Sequence, residues 1–212
     1  MLGEPALRLK LRRLTGKVSV PILFHAGGVL EDSFKIARFA DETGGGESLF
    51  PKEHLPDIVH WNSLSEKALS AGRVLVTTSV AADPDACMDS MPFKVPGNLS
   101  FVAPPVVQSA KVFLEMKYGF NDDMIAQCTK DLHQGLYTLR QSLRNKKYLV
   151  GGKFSYADIT MAMLVQFVVP VANEHIKIRK NFRNAWTHTE FAEEFDYLVK
   201  WRDDLYAEHR GK

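Results

Sequence analysis

Chemistry in this chain could come from two cysteines, seven histidines and two places where a serine and an aspartate head an apolar helical pattern. Cys87 and Cys128 lie far apart and lack paired partners. They make neither a disulfide framework nor a zinc site, and they read as free thiols in a reducing compartment, the cytoplasm. His25, His54, His60, His133, His175, His188 and His209 are scattered. No pair of them has the spacing that sets two ligands on one helix face beside a carboxylate, so the pattern predicts no metal.

The sharper signal is the run Gly152-Lys153-Phe154-Ser155-Tyr156-Ala157-Asp158-Ile159. Ser155 can accept from the backbone N–H of Asp158, and the Asp158 carboxylate can reach back to the Ser155 N–H, which is a capping box in its acidic form. Phe154 before the cap and Ile159 in the first turn are placed as a hydrophobic staple. Capping alone accounts for Asp158, so no acid–base role is assigned to it. Losing either partner should cost about 1 kcal/mol. The second run is Ser19-Val20-Pro21, followed about a dozen residues later by Glu31-Asp32-Ser33, where Asp32 or Ser33 can cap the next helix. Taken alone, this second run reads as a hairpin leading into a capped helix.

The elements that must position these runs follow from periodicity. Leu7, Leu11 and Leu14 fall at helical spacing, whereas Leu7, Leu9 and Leu11 alternate with basic residues as a strand would. The helix-forming residue types favour a helix, ended by Thr15-Gly16. Val18 to Phe24 is a β-branched, apolar run with Pro21 near its start, where a missing ladder donor is tolerated. Ala26-Gly27-Gly28 is a turn, and Val29-Leu30 completes a β-hairpin. Phe34, Ile36, Ala37, Phe39 and Ala40 form one face of the helix that follows. Thr43 to Ser48, with three glycines, is a linker and the expected domain boundary.

Beyond it the pattern predicts helices from Pro51 to about Ala71, from near Val107 to Gly119, and from Asn121 to Asn145. Two more are expected from Tyr156 to about Val169 and from Thr189 to about His209. The section near 82–106 is interrupted by Pro84, Pro92, Pro96, Pro104 and Pro105 and reads as an irregular insertion with short helical turns. The helix after Ser155 is apolar nearly all round, the mark of a central core helix.

Composition narrows the function classes. The 212 residues are 45% hydrophobic and 25% charged, with a net charge of +2. This suits a globular protein with a real core and supplies no field for nucleic acid or an anionic membrane. No apolar run is long enough to span a bilayer. Met1 to Lys17 is basic, with few hydroxylated residues, and reads as a solvated face rather than a transit peptide.

The Gly-x-x-Phe-Ser-x-Ala-Asp-Ile run resembles the capping motif that opens the buried central helix of the C-terminal domain in soluble glutathione S-transferases. Ser19-Val20-Pro21 with Asp32-Ser33 resembles the glutathione-binding part of the thioredoxin-like N-terminal domain in the same superfamily. The resemblance implies a mostly α fold: a partial thioredoxin-like unit of hairpin plus helices over 1–46, then an all-helical domain over 47–212. It implies a cis bond before Pro21, with the backbone beside it pairing with the cysteinyl part of glutathione as an added strand. The amides and hydroxyl at Asp32-Ser33 would hold the γ-glutamyl carboxylate. Lys17 would meet the glycyl carboxylate, although Val18 and Ser19 intervene. Glutathione would be a substrate together with a small electrophile, and the partner a second copy in a homodimer.

The family's catalytic Tyr, Ser or Cys lies on a strand and helix before that proline. Only twenty residues precede Pro21 in this sequence, so those elements are expected to be missing or to lie upstream of it, and no catalytic residue is assigned. The family likeness therefore supports a transferase, or a relative that uses glutathione for reduction. It also allows a non-catalytic interaction module. Losing the first strand would bare the edge of the hairpin, and residues 1–14, the insertion or a partner is expected to cover it.

Overall fold

The computed structural model describes residues 20–90 and 121–210. Lys17, Ser19, the expected helices before residue 17 and from 107 to 119, and the cover of the hairpin edge lie outside them. The chain divides into two compact units, the first ending at Lys52 and the second beginning at Glu53.

In the first unit, strands β1 (Ile22–His25) and β2 (Gly28–Glu31) form an antiparallel pair in the register Ile22↔Glu31 to His25↔Gly28. Gly28 at the turn has φ 136°, which suits a residue without Cβ. Helix α1 (Ser33–Thr43) follows directly. Its Phe34 ring meets Phe50 edge-on at 5.5 Å, and Phe39 lies 4.5 Å from the His25 ring. The glycine-rich stretch after α1 is tied back rather than left loose. Asp41 accepts from the Ser48 hydroxyl and from the Leu49 N–H, both at 2.7 Å. This latch draws residues 47–52 into the first unit, a few residues past the boundary that the glycines suggested.

The second unit is helical: α2 (Leu55–Ala82), α3 (Pro84–Asp89), α4 (Asp122–Ser142), α5 (Tyr156–Val165), α6 (Lys180–Trp186), α7 (Thr189–Glu194) and α8 (Asp196–His209). Helix α2 packs along both α4 and α5. Close approach is possible because Gly135 carries no Cβ. One added there would stand 2.9 Å from Ala68 Cβ and 3.2 Å from Leu164 Cδ2. Ser65, fully buried on α2, donates to the Thr160 carbonyl of α5 at 2.8 Å. The buried residues of α5 lie all round it, from Tyr156 and Ala157 to Leu164 and Val165, as expected of a core helix.

Four sequence expectations change. Helix α2 runs on to Ala82, because Ala68, Ala71, Gly72 and Val80 keep a buried face past Ala71. Helix α5 stops at Val165, a turn before Pro170. There the backbone tightens, with Phe167 N–H bonding the Leu164 carbonyl and Val168 N–H the Val165 carbonyl. The buried Arg202 guanidinium takes the Val165 and Val169 carbonyls, ending the helix by satisfying its last acceptors. The final helix is broken at Phe195 (φ −115°, ψ 29°) into α7 and α8. That ring is fully buried under the Arg140 guanidinium and beside His133, so packing wins over helical continuity. Helix α6 was not foreseen. Its Arg183 holds the carbonyls of Pro170 and Val171 at 2.7 and 2.8 Å.

Candidate functional site

The hairpin register places the two halves of the second run side by side. Ile22 pairs with Glu31, so the next positions outward on the two strands are Pro21 and Asp32. The Val20–Pro21 peptide bond is cis. Val20 is 72% exposed, and Pro21, Asp32 and Ser33 are exposed as well, so no described residue covers this end of the unit.

Asp32 turns the chain from β2 into α1. Its φ of 88° and ψ of 124° are uncommon for a residue with a side chain, a kind of strain that costs on the order of 1–3 kcal/mol. The carboxylate recovers part of that cost by accepting from the Lys35 N–H at 3.1 Å, while its carbonyl receives the Ile36 N–H at 3.0 Å. No acidic residue stands in the first turn of α1. The positive end of the helix dipole is therefore offset only by the cap itself. Such a corner can receive a ligand's carboxylate.

The Ser155–Asp158 pair sits in the opposite environment. Asp158 is 0% exposed. Its Oδ2 accepts from the Ser155 N–H at 2.9 Å and from the Ser155 hydroxyl at 3.1 Å, and its Oδ1 accepts from the Leu149 N–H at 2.9 Å. Burial raises its pKa, and the backbone donors oppose that rise. Every oxygen is committed to the chain, so this carboxylate is a fastening. Gly151 and Gly152, with φ of 61° and 69°, return the loop to it. Phe154 stacks on His209 at 3.8 Å and ties the end of α8 to the same corner.

Neither cysteine is an activated nucleophile. Burial pushes the Cys87 thiol up, and burial together with the Asp131 charge pushes up Cys128. Among the described residues no group of three or more His, Cys, Asp or Glu could hold a metal ion. No described helix is long and apolar enough to cross a membrane.

Sequence reasoning missed Asp41, whose latch shapes the first unit; an aspartate facing a serine across three glycines was the available signal. It also missed Arg202, because a lone arginine on an amphipathic helix gives no sign of burial. Burial pushes that guanidinium below its usual pKa, and the adjacent Asp203 opposes the shift.

Residues 102–208 match the family described as glutathione S-transferase, C-terminal domain. A solved structure with a similar fold is a glutathione S-transferase from Methylobacillus flagellatus KT with glutathione bound. It has 16% sequence identity and a TM-score of 0.55, over 90% of this chain and 72% of that one. At that identity the likeness is one of fold. No curated protein matches the chain.

Proposed function

The chain belongs to the glutathione S-transferase family through its C-terminal domain, and we propose that it binds glutathione at the head of α1 and conjugates it, through its sulfur, to small electrophiles or uses it to reduce them. The observation that carries this reading is the pairing of Ile22 with Glu31, which brings Pro21 and Asp32 to the same open end of the hairpin. The backbone at Val20 and Pro21 lines up with the cysteinyl part of the tripeptide as a further strand. The first-turn amides of α1 and the Ser33 hydroxyl take the γ-glutamyl carboxylate. Lys17 is assigned to the glycyl carboxylate. The glutathione bound to the structural neighbour supports the same ligand.

In the reaction the glutathione thiolate forms a bond to an electrophilic carbon as the leaving group departs. Neither Cys87 nor Cys128, whose thiols burial pushes up, is poised to take the thiol proton. That observation also favours a second reading, in which the protein binds glutathione or a protein partner without turnover. The family reading carries with it a homodimer in the cytoplasm, and size-exclusion chromatography tests the dimer.

Retention on immobilised glutathione, combined with conjugation to 1-chloro-2,4-dinitrobenzene, separates the readings. Retention with turnover is expected of the transferase. Retention alone identifies a binding module, and neither result would point to a protein-contact role. Ser33→Ala removes one hydroxyl from an exposed position and should weaken glutathione binding by about tenfold. Undiminished binding removes Ser33 from the site.

A further inference from the structure

The helical unit holds a second feature that the glutathione reading does not use. A cleft of about 560 Å³ lies between the C-terminal half of α2, the turn after α5, and α6. Its walls include Arg73, Val74 and Thr77 from α2, with Phe167, Phe182 and Trp186 facing them. That volume is typical of small-molecule sites. Gly72 sets the aromatic wall in place, since a Cβ there would stand 2.4 Å from Phe167 Cγ, so the ring lies directly against the α2 backbone. Trp186 meets Phe167 at 6.1 Å and Phe182 at 5.3 Å, both tilted, which makes a continuous aromatic face.

Three polar groups on this cleft lack partners among the described residues: the Trp186 indole N–H, the Arg73 side chain and the exposed Ser70 hydroxyl. The Trp186 indole N–H is buried and has no acceptor. A buried donor left unpaired is uncommon in folded proteins and calls for an explanation. Arg73 is exposed and makes no ion pair among the described residues. The Thr77 hydroxyl is already spent on the Arg73 carbonyl at 2.6 Å. Of the groups left over, Arg73 is a cation, the indole is a donor only, and the Ser70 hydroxyl can donate as well, so all three suit an anionic acceptor.

We propose that this cleft binds a small aromatic carboxylate. The ring lies against Phe167, Phe182 and Trp186, and the carboxylate is taken by the Arg73 guanidinium and the indole N–H. The indole nitrogen is sealed from solvent, so the ligand turns the ring slightly as it enters. Side-chain adjustments of that size are common on binding. All the lining residues belong to the second unit, so the proposal stands whether or not glutathione binds.

The test titrates the intact chain, without glutathione, with naphthalene-2-carboxylate and with its neutral counterpart 2-naphthamide, followed by calorimetry and tryptophan fluorescence. The acid should bind about tenfold more tightly than the amide at neutral pH. Arg73→Gln, at an exposed position, should reduce that preference severalfold while leaving the amide affinity unchanged. Trp186→Phe keeps an aromatic ring, removes the donor, and should weaken the acid more than the amide. Val74→Phe narrows the cleft and should weaken both ligands by about tenfold or more. Equal binding of acid and amide, absence of binding, or full affinity in Val74→Phe would overturn the proposal. Circular dichroism identifies any variant that fails to fold, and the parent comparison of acid with amide decides the matter without variants.

Discussion

The heads of α1 and α5 carry the same chemical parts, an aspartate and a serine within one turn, and use them in opposite ways. At α1 both residues are exposed, and the Asp32 carboxylate makes one bond at the helix start, to the Lys35 N–H. At α5 both are buried, and the Asp158 carboxylate receives two backbone N–H groups and a hydroxyl. A helix start surrounded by core spends its polar capacity on the fold, whereas an exposed one leaves part of it uncommitted. Residue type does not tell these two starts apart; burial and the count of committed acceptors do.

The isosteric change Asp→Asn tests that contrast most strongly. In Asp158→Asn one of two buried backbone donors loses its acceptor, so urea unfolding should show a loss of about 2 kcal/mol. Asp32→Asn keeps an oxygen for Lys35 and a residue type that tolerates positive φ, so its stability should stay within about 0.5 kcal/mol of the parent. Equal losses at the two sites would break the comparison. The serines should follow at smaller scale. Ser155→Ala is expected to cost about 1 kcal/mol, and Ser33→Ala no more than about 0.5 kcal/mol while still impairing glutathione retention.

Titration sharpens the contrast further. Asp158 has a folded-state pKa above its ordinary 3.8, so folding favours its neutral form. Its contribution to stability is greatest in acid and is lost as pH rises from 3.8 through the raised value. Asp158→Asn should lack that slope. His188, which caps α7 by accepting from the Phe191 N–H at 3.4 Å, is a half-buried case between the two. Burial lowers its pKa below 6.5, with Glu190 opposing. Its unfolded form binds protons first, so stability falls as pH drops below 6.5. His188→Asn retains a capping oxygen and should flatten that acid limb by a fraction of a kcal/mol, measured as the difference between variant and parent across pH.

Much of this was legible in advance where a rule is local. Asn121 was expected to cap α4, and its side chain accepts from the Met124 N–H at 2.8 Å. The Ala26-Gly27-Gly28 turn and the start of α5 also fell where the residues placed them. Helix ends were less legible. The stop of α5 depends on Arg202, and the break at Phe195 depends on Arg140 and His133, all remote in sequence.

The sequence by itself determined the hairpin, the capped helix starts and the family to which the helical unit belongs, because turn, cap and periodicity signals act within a few residues. Only the tertiary structure decided which aspartate is consumed by the core, where Asp41 closes the first unit, and that an indole and a guanidinium without partners among the described residues belong to one cleft. Those outcomes depend on burial and on partners far along the chain, and both are set when the helices pack.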